Sequence, residues 1–360
     1  FASEDERKAL DADLVIGAKQ KNELVNLIQK AIKEHKKIDV VNEVTQFKDF
    51  EAMPVHCFES MHRAFLKVQD GCNQFCSYCA IPFARGRERS LNHVEVIQIA
   101  KDLCDKGHTE IVLTGIHTGH YGADLDNYNF AALLRELVNI EGLKRLRISS
   151  IEMNELSSEV LNVIKESPII VDHLHIPLQS GSDRILKSMN RKYNIDEFEN
   201  KIKEIRSIRP NISITTDVIV GFPGEKQQDF DELSKFVEEA RFDKLGAFMY
   251  SKEEGTPAAK LPEQVYGKTK KSRYNKIMKI QQEVSKENLQ NKIGQEVEIL
   301  IEDISFDRKY LIGRTKQDVP DIDGVIYIKN RDDKLVNQFV KAKVIDVSNY
   351  DLIGELVKEN

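Results

Sequence analysis

The stretch Phe65-Leu-Lys-Val-Gln-Asp-Gly-Cys-Asn-Gln-Phe-Cys-Ser-Tyr-Cys79 joins an apolar run typical of a β-strand to three closely spaced cysteines. Cys72, Cys76 and Cys79 form a C-x3-C-x2-C pattern in the loop predicted to follow the strand. Three thiolates this close together can hold a metal centre, and soft sulfur ligands select zinc, copper or iron–sulfur clusters. Because a structural zinc site usually takes four ligands in separated pairs, the compact triplet favours an iron–sulfur cluster.

A 4Fe-4S cluster is ordinarily held by four cysteines, so three ligands leave one iron with an open coordination position. S-Adenosylmethionine can bind such an iron through its amino and carboxylate groups, and an electron from the cluster can then break the sulfonium–carbon bond and release a carbon radical. The alternative is zinc bound with help from His56, Cys57 or Cys104. Cys104 lies on the apolar face of a predicted helix, so it is predicted to be a buried thiol.

The rest of the chain after the triplet alternates strand-like and helix-like runs. The predicted strands are Phe65–Gln69, Glu110–Thr114, Leu146–Ser150, His173–Leu178, Ile212–Val220 and Lys244–Tyr250. The predicted helices are Val94–Lys106, Phe130–Ile140, Ser158–Glu166, Ile195–Ile208 and Asp229–Ala240. This alternation predicts an α/β fold with a parallel sheet and right-handed crossovers, either open or curled toward a barrel.

Small and polar residues follow the predicted strands at the ends where a parallel α/β sheet binds its ligands. After the cysteines they are Thr114-Gly115, Ser149-Ser150 with Glu152, Gln179-Ser180-Gly181-Ser182, Gly221-Phe222-Pro223-Gly224 and Tyr250-Ser251. The simpler interpretation is that glycine and serine mark loops, and it accounts for about half of the pattern. The cysteines and these residues together predict a ligand site at one end of the sheet.

Three further segments flank this region. Residues 1–50 contain a predicted strand, Asp13–Gly17, and a predicted helix, Asn22–Ile32, and are too short for a complete domain. Residues 260–292 are predicted to form a long basic helix with a net charge of +6. Residues 293–357 alternate in β fashion between turns and predict a small all-β module.

The composition indicates an intracellular globular protein. The chain has 360 residues, a formal net charge of −6 and an odd number of cysteines, which favours a reducing cytoplasm over a disulfide framework. No apolar run approaches the roughly 18 residues of a membrane span, so no membrane partner is expected. The total of −6 combines residues 1–259 at −8, the basic helix at +6 and the β-module at −4. The module would therefore bind RNA by shape, by a local patch or by stacking on side chains such as Tyr310 and Tyr327.

Five ordered motifs resemble the radical S-adenosylmethionine methylthiotransferases. They are GCNQFCSYCAIPFARGRERS (Gly71–Ser90), LTGIHTGHYG (Leu113–Gly122), HLHIPLQSGSDRILKSMNRKY (His173–Tyr193), TTDVIVGFPGE (Thr215–Glu225) and YSKEEGTPAA (Tyr250–Ala259). The resemblance implies a partial (β/α)6 barrel over residues 60–260 and a linker helix over 260–292. It further implies that residues 1–50 are the remnant of an N-terminal methylthiotransferase domain and that residues 293–357 are a TRAM-like RNA-binding β-barrel.

The resemblance also assigns residues to the site. It implies that Cys72, Cys76 and Cys79 ligate a 4Fe-4S cluster. It places S-adenosylmethionine beside Thr114, Gly115, Ser149, Ser150, Gln179, Ser180, Val220 and Gly221. Arg85, Arg87 and Arg89 are candidates to hold phosphate or carboxylate, with solvated charge as the equal alternative. His117 and His120 are candidates for substrate contact, although loop histidines are more often solvated.

The implied reaction is methylthiolation of tRNA. The stretch LTGIHTGHYG is closest to the branch that acts on N6-threonylcarbamoyladenosine beside the anticodon, at C2 of the adenine. The alternatives are isopentenyladenosine in tRNA and an aspartate of a ribosomal protein. The implied partners are tRNA and a flavodoxin- or ferredoxin-type electron donor.

One family feature is missing from the sequence. The family builds a second 4Fe-4S cluster, which carries the inserted sulfur, from three cysteines of its N-terminal domain. No cysteine precedes Cys57 here. The expectation is a fragment or a truncated relative that cleaves S-adenosylmethionine but does not complete the transfer, with a non-catalytic, metal-containing RNA-binding protein as a third hypothesis.

Overall fold

A computed structural model describes residues 3–43, 47, 49–52, 63–320, 322–330 and 332–357. His56 and Cys57, the additional zinc ligands considered from the sequence, lie outside the described residues. In the N-terminal part, α1 (Glu4–Ala9) and α2 (Leu24–Glu34) accompany two short parallel strands, β1 (Leu14–Val15) and β2 (Ile38–Asp39). The strand predicted in this part is therefore shorter than its apolar run.

The central region is a curved parallel sheet covered by helices. Its strands are β3 (Arg63–Lys67), β6 (Glu110–Thr114), β7 (Arg145–Ile148), β8 (His173–His175), β9 (Ser213–Val220) and β10 (Lys244–Met249). Strands β4 (Gln69–Asp70) and β5 (Arg89–Ser90) form a separate small hairpin. Strands β3, β6 and β7 pair in parallel, as do β8, β9 and β10. A parallel bridge between Leu146 and Ile170 brings the two halves together. The predicted six-unit partial barrel is confirmed.

Seven helices pack on the convex face of this sheet, and α3 (Ile81–Arg85) lies inside the cysteine loop. The seven are α4 (His93–Asp105), α5 (Phe130–Leu137), α6 (Ser158–Glu166), α7 (Asp183–Ser188), α8 (Ile195–Ile208), α9 (Gln227–Ala240) and α10 (Gly267–Gln290). Asn92, Asn129 and Ser157 cap α4, α5 and α6 by accepting backbone N–H bonds. Ile111 and Leu146 are fully buried between sheet and helices. The concave face is left for polar side chains and ligands.

Two predicted elements differ from the structure because of proline. The strand predicted over His173–Leu178 ends at His175, since Pro177 has no N–H to donate to a ladder. The basic helix begins at Gly267 instead of residue 260, because Pro257–Lys260 form a 3-10 turn and Pro262 follows it.

Cys104 is half-buried against the core, and burial raises the pKa of its thiol to about 11.

The C-terminal module is a closed five-stranded barrel. Its strands are β11 (Glu296–Ile304), β12 (Leu311–Thr315), β13 (Ile326–Ile328), β14 (Phe339–Val347) and β15 (Leu352–Leu356), in the order β11-β12-β13-β15-β14. Ile299, Ile301 and Leu311 are completely buried in its core. The short strand β15 was not predicted from the sequence.

The small barrel covers the amino-terminal ends of the large sheet. Arg314 Nη2 of β12 lies 2.5 Å from Glu110 Oε2, and Arg147 Nε lies 3.2 Å from Glu110 Oε1. Lys244 Nζ lies 3.0 Å from Asp318 Oδ1. This interface is therefore at the end of the sheet opposite to the cysteine loop.

Candidate active site

The cysteine loop is closed at its base by a two-residue hairpin. Strands β4 and β5 pair antiparallel, so residues 71–88 leave and re-enter at the same edge. Cys72 and Cys76 are buried and Cys79 is half-buried, and all three are free thiols. Backbone bonds from Cys72 N to Gly86 O (3.1 Å) and from Cys79 N to Cys76 O (3.0 Å) hold the turn.

Gly71 allows the two sides of this loop to approach each other. Its φ of +74° lies in the left-handed region, and a Cβ atom there would lie 2.0 Å from Arg87 O. A side chain at this position is excluded both by the backbone conformation and by contact with a main-chain oxygen. Gly71 therefore places the adjacent Cys72 in the loop.

The three thiols form a donor set that suits an iron–sulfur cluster. Burial raises the pKa of Cys72 to about 12 and also raises that of Cys79, and the neighbouring thiols add to both shifts. Without a metal, Cys72 and Cys79 are therefore held as neutral thiols, whereas a bound metal centre would stabilise thiolates. Three soft donors in one loop fit a 4Fe-4S cluster with one open iron.

Arg191 links the cysteine loop to the end of β7. Its Nη1 donates to Cys76 Sγ at 3.4 Å, its Nη2 forms an ion pair with Glu152, and its Nε donates to Tyr193 Oη at 3.0 Å. The Arg191 side chain is only 4% exposed. Hydrogen bonds to cluster sulfurs tune reduction potentials, so Arg191 is a site residue. Arg191 lies in the motif His173–Tyr193, but the sequence does not show its contacts with Cys76 and Glu152 and so did not predict a role for it.

The predicted cofactor residues divide into two groups by burial. Thr114, Gly115, Ser149, Ser150 and Gln179 are half-buried at the carboxyl ends of β6, β7 and β8. Thr118 Oγ1 lies 3.5 Å from Ser149 Oγ, so the ends of β6 and β7 meet at the same place. These five residues border the open end of the sheet and are positioned to meet a ligand.

The other three predicted cofactor residues, Ser180, Val220 and Gly221, are buried, and Ser180 and Gly221 form local hydrogen bonds. Ser180 Oγ accepts a bond from Ser182 N. Gly221 has a φ of +73°, and its N–H donates to Glu225 Oε1 at 3.0 Å. Their side chains do not face open space, so any contact with a cofactor would come from the turns they build.

The three candidate arginines have different environments. Arg87 is exposed, with its guanidinium 4.7 Å from the centre of the Phe75 ring. Arg85 Nη1 is half-exposed and lies 3.7 Å from Asp70 Oδ2. Arg89 is buried and donates to the carbonyl oxygens of Arg85 and Arg87 at 3.0 and 2.7 Å. Arg89 thus stabilises the loop, while Arg85 and Arg87 remain accessible.

His117 lies buried behind the cysteine loop instead of in solvent. Its Nε2 contacts a carboxylate oxygen of Glu155 and lies 3.4 Å from Gln74 Nε2. Burial opposes protonation of the ring, but the contact with the Glu155 carboxylate and the nearby Glu88 carboxylate outweigh it and raise the His117 pKa to about 9. His120, half-exposed, donates from Nδ1 to Glu88 at 2.7 Å.

A cavity of about 510 Å³ occupies the concave side of the sheet. Ser149, His175, Asp217 and Phe248 line it, together with Ile322 of the small barrel. His175 Nε2 lies 3.2 Å from Asp217 Oδ2. The volume of this cavity is in the range typical of sites for small molecules and cofactors.

Comparison with protein-family models matches residues 66–237 to the radical SAM superfamily and residues 293–357 to the TRAM domain. The first match covers the parallel sheet from the end of β3 to β9 and ends before β10, and the second covers the five-stranded barrel. None of the described helices combines the length and the hydropathy that a membrane-spanning segment needs.

Three curated relatives span most of the chain. The threonylcarbamoyladenosine tRNA methylthiotransferase MtaB of Bacillus subtilis (strain 168) is 39% identical over 337 residues, which cover 92% of this chain and 73% of the relative. The ribosomal protein uS12 methylthiotransferase RimO of Alkaliphilus oremlandii (strain OhILAs) is 42% identical over 298 residues, 82% of this chain and 68% of the relative. The tRNA-2-methylthio-N(6)-dimethylallyladenosine synthase of the same organism is 36% identical over 359 residues, 99% of this chain and 74% of the relative. The three names agree on methylthio chemistry and differ in substrate.

Proposed function

Because the chain belongs to the radical S-adenosylmethionine methylthiotransferase family, we propose that it adds a methylthio group to C2 of N6-threonylcarbamoyladenosine beside the anticodon of tRNA. The loop Leu113–Gly122 carries this proposal. Its sequence resembles the threonylcarbamoyladenosine branch, and it places His117 within 3.4 Å of Gln74 in the cysteine loop. A loop in this position contacts whatever lies between the cluster and the strand ends.

Cys72, Cys76 and Cys79 would hold the cluster through their sulfur atoms. When bound there, the cluster and S-adenosylmethionine supply the carbon radical that removes a hydrogen atom from the substrate. Arg191 donates an N–H to Cys76 and is itself held by Glu152, so the cluster ligand is fixed by a charge-assisted contact.

The strand-end residues would bind and orient S-adenosylmethionine. Thr114-Gly115, Ser149-Ser150 and Gln179 offer hydroxyl, amide and backbone groups at the strand ends, and Ser149 also lines the cavity, while Ser180, Val220 and Gly221 shape the neighbouring turns. Phe248 and Ile322 contribute apolar surface to the cavity lining.

The RNA surface in this proposal combines α10 with the small barrel. Residues 260–292 carry a net charge of +6, whereas residues 293–360 carry −4. The helix would contact phosphates, and the small barrel would contribute exposed rings such as Phe306 for stacking. A flavodoxin- or ferredoxin-type protein would supply the electron.

Methylthiolation of a ribosomal-protein aspartate is the second candidate, because the 42% identity to the relative named for ribosomal protein uS12 exceeds the 39% to the tRNA enzyme. Isopentenyladenosine is a further tRNA alternative.

Nucleoside mass analysis of tRNA separates the candidates. A strain lacking the gene should lose 2-methylthio-N6-threonylcarbamoyladenosine and regain it with the gene. Unchanged tRNA nucleosides together with unmodified ribosomal-protein aspartate would exclude the tRNA proposal in favour of the second candidate. Loss of the isopentenyladenosine derivative instead would move the proposal to the other tRNA substrate.

A further inference from the structure

A second group of metal-ligating side chains lies beside the cysteine triplet. Ligand atoms of Glu88, His117 and His120 all lie within 4.8 Å of one another. Glu88 immediately precedes β5, whereas His117 precedes and His120 ends the 3-10 turn Thr118–His120 after β6. Two separate loops therefore bring nitrogen and oxygen donors to one point.

One of these donors is buried and unpartnered. His117 Nδ1 has no hydrogen-bond partner among the described residues, and its side chain is 5% exposed. The atom faces Glu88 Oε2 at 3.9 Å, beyond hydrogen-bond distance. Buried polar atoms in proteins are usually satisfied, so this nitrogen is available to a ligand.

The other ring nitrogen of His117 is already held. Glu155 contacts Nε2 with a carboxylate oxygen, and the second oxygen of Glu155 accepts a bond from Glu152 N at 3.0 Å. A carboxylate that holds the far nitrogen of a histidine is the usual support of a metal-binding imidazole, because it fixes the tautomer and the ring orientation. The arrangement leaves Nδ1 as the coordinating atom.

The spacing of the donors suits one small ion. Ligand atoms of a tetrahedral zinc ion, with bonds of about 2.0–2.1 Å, lie about 3.3 Å apart. The distances from Glu88 Oε2 to His120 Nδ1 (2.7 Å) and to His117 Nδ1 (3.9 Å) lie on either side of that value. Small rotations of the carboxylate and of the half-exposed His120 ring would equalise them.

We propose that Glu88 Oε2, His117 Nδ1 and His120 Nδ1 bind a divalent transition-metal ion of the zinc type, with Glu155 as the positioning residue of His117. Nitrogen and carboxylate donors suit such an ion, whereas the soft cysteine sulfurs select the iron–sulfur cluster. The ion would tie the loop after β6 to the loop that carries the cysteines. Three protein ligands leave a fourth position for water or an oxygen ligand.

Zinc binding to the full chain, purified anaerobically with its iron–sulfur cluster loaded, tests the proposal. Competition with a chromophoric zinc chelator should give one tight zinc site per chain. His117→Ala and His120→Ala should weaken it at least about 100-fold, and Glu155→Gln about 10- to 100-fold. His120 is half-exposed, so its replacement does not threaten folding. His93→Ala, in a histidine that stacks on Tyr128, is the matched control and should bind zinc like the unaltered chain.

X-ray absorption at the zinc edge gives a second readout that iron does not obscure. The expected spectrum contains only nitrogen and oxygen ligands at about 2.0–2.1 Å. A sulfur shell at about 2.3 Å would place the zinc on the cysteines and overturn the proposal. The absence of a stoichiometric zinc site, or equal affinities of the His120→Ala variant and the unaltered chain, would overturn it as well.

Discussion

Both ends of the parallel sheet bury charged or reactive side chains, but the two ends differ in whether those side chains are paired within the protein. At the end covered by the small barrel, Glu110, Arg147 and Arg314 satisfy one another inside the protein. At the cysteine end, Cys72 and Cys76 are buried and Cys79 is half-buried as free thiols, and His117 Nδ1 is buried with no hydrogen-bond partner among the described residues. Groups paired within the chain hold two domains together, whereas groups without partners are available to ligands.

The largest expected effect is at the cysteine end. Cys76→Ala should remove the cluster, so that iron falls from about four per chain to almost none and 5′-deoxyadenosine is no longer formed. Iron analysis and mass spectrometry of the reaction products measure the two effects. Cys104→Ala, which removes a half-buried thiol on α4, is the control and should keep both. A Cys76→Ala chain that still held its cluster and formed 5′-deoxyadenosine would refute the ligand assignment.

The next effect is at the covered end. Arg314→Ala leaves Glu110 buried with Arg147 as its remaining close partner, and breaking a buried ion pair in this way should cost about 4 kcal/mol of unfolding free energy. Denaturant unfolding measures it. Arg308→Ala, which removes a solvent-exposed pair with Asp333, should cost less than about 0.5 kcal/mol. Equal costs would show that the interface network is no stronger than a surface pair.

The same network makes stability depend on pH. Burial alone would raise the pKa of Glu110, but the nearby Arg314 and Arg147 outweigh it and lower the pKa to about 2. Because the folded-state pKa is below the unfolded one, this stabilisation is complete above about pH 4.5 and is lost as the pH falls toward 2, by about 3 kcal/mol in total. Unfolding at a series of pH values should show a shallower acid loss in Glu110→Gln. Parallel curves for the two proteins would contradict the prediction.

A smaller effect is expected from a glycine at the cysteine end. Gly71→Ala should cost about 1–2 kcal/mol for the left-handed backbone, plus the clash with Arg87 O, and should lower iron occupancy by displacing Cys72. Gly107 also has a positive φ, +94°, but no atom lies within 4 Å of an added Cβ. Gly107→Ala should therefore lose only the stability that the backbone conformation costs, and its iron content should be unchanged. Iron content and unfolding free energy measure both variants. Equal iron loss in the two variants would mean that the close approach does not position the cysteine.

Local patterns predicted most of the fold. The alternation of apolar runs with amphipathic segments indicated six parallel strands, and the C-x3-C-x2-C spacing indicated the metal centre. Predictions failed where a short element had a weak pattern, as at β15, or where proline overrode an apolar run, as at Pro177. The contact between Arg191 and Glu152 was not predicted, because it joins residues that are 39 positions apart in the sequence. Arg314 and Glu110 are 204 positions apart.

The sequence by itself determined the order of the elements, the cysteine triplet and the family, because each depends on residue types at short and fixed spacings. Only the tertiary structure decided which charged groups are satisfied within the protein and which remain open. That choice depends on burial and on contacts between distant segments. Glu110 is therefore part of a domain interface, whereas His117 Nδ1, beside the cysteine loop, has no hydrogen-bond partner in the part of the chain that the structure describes.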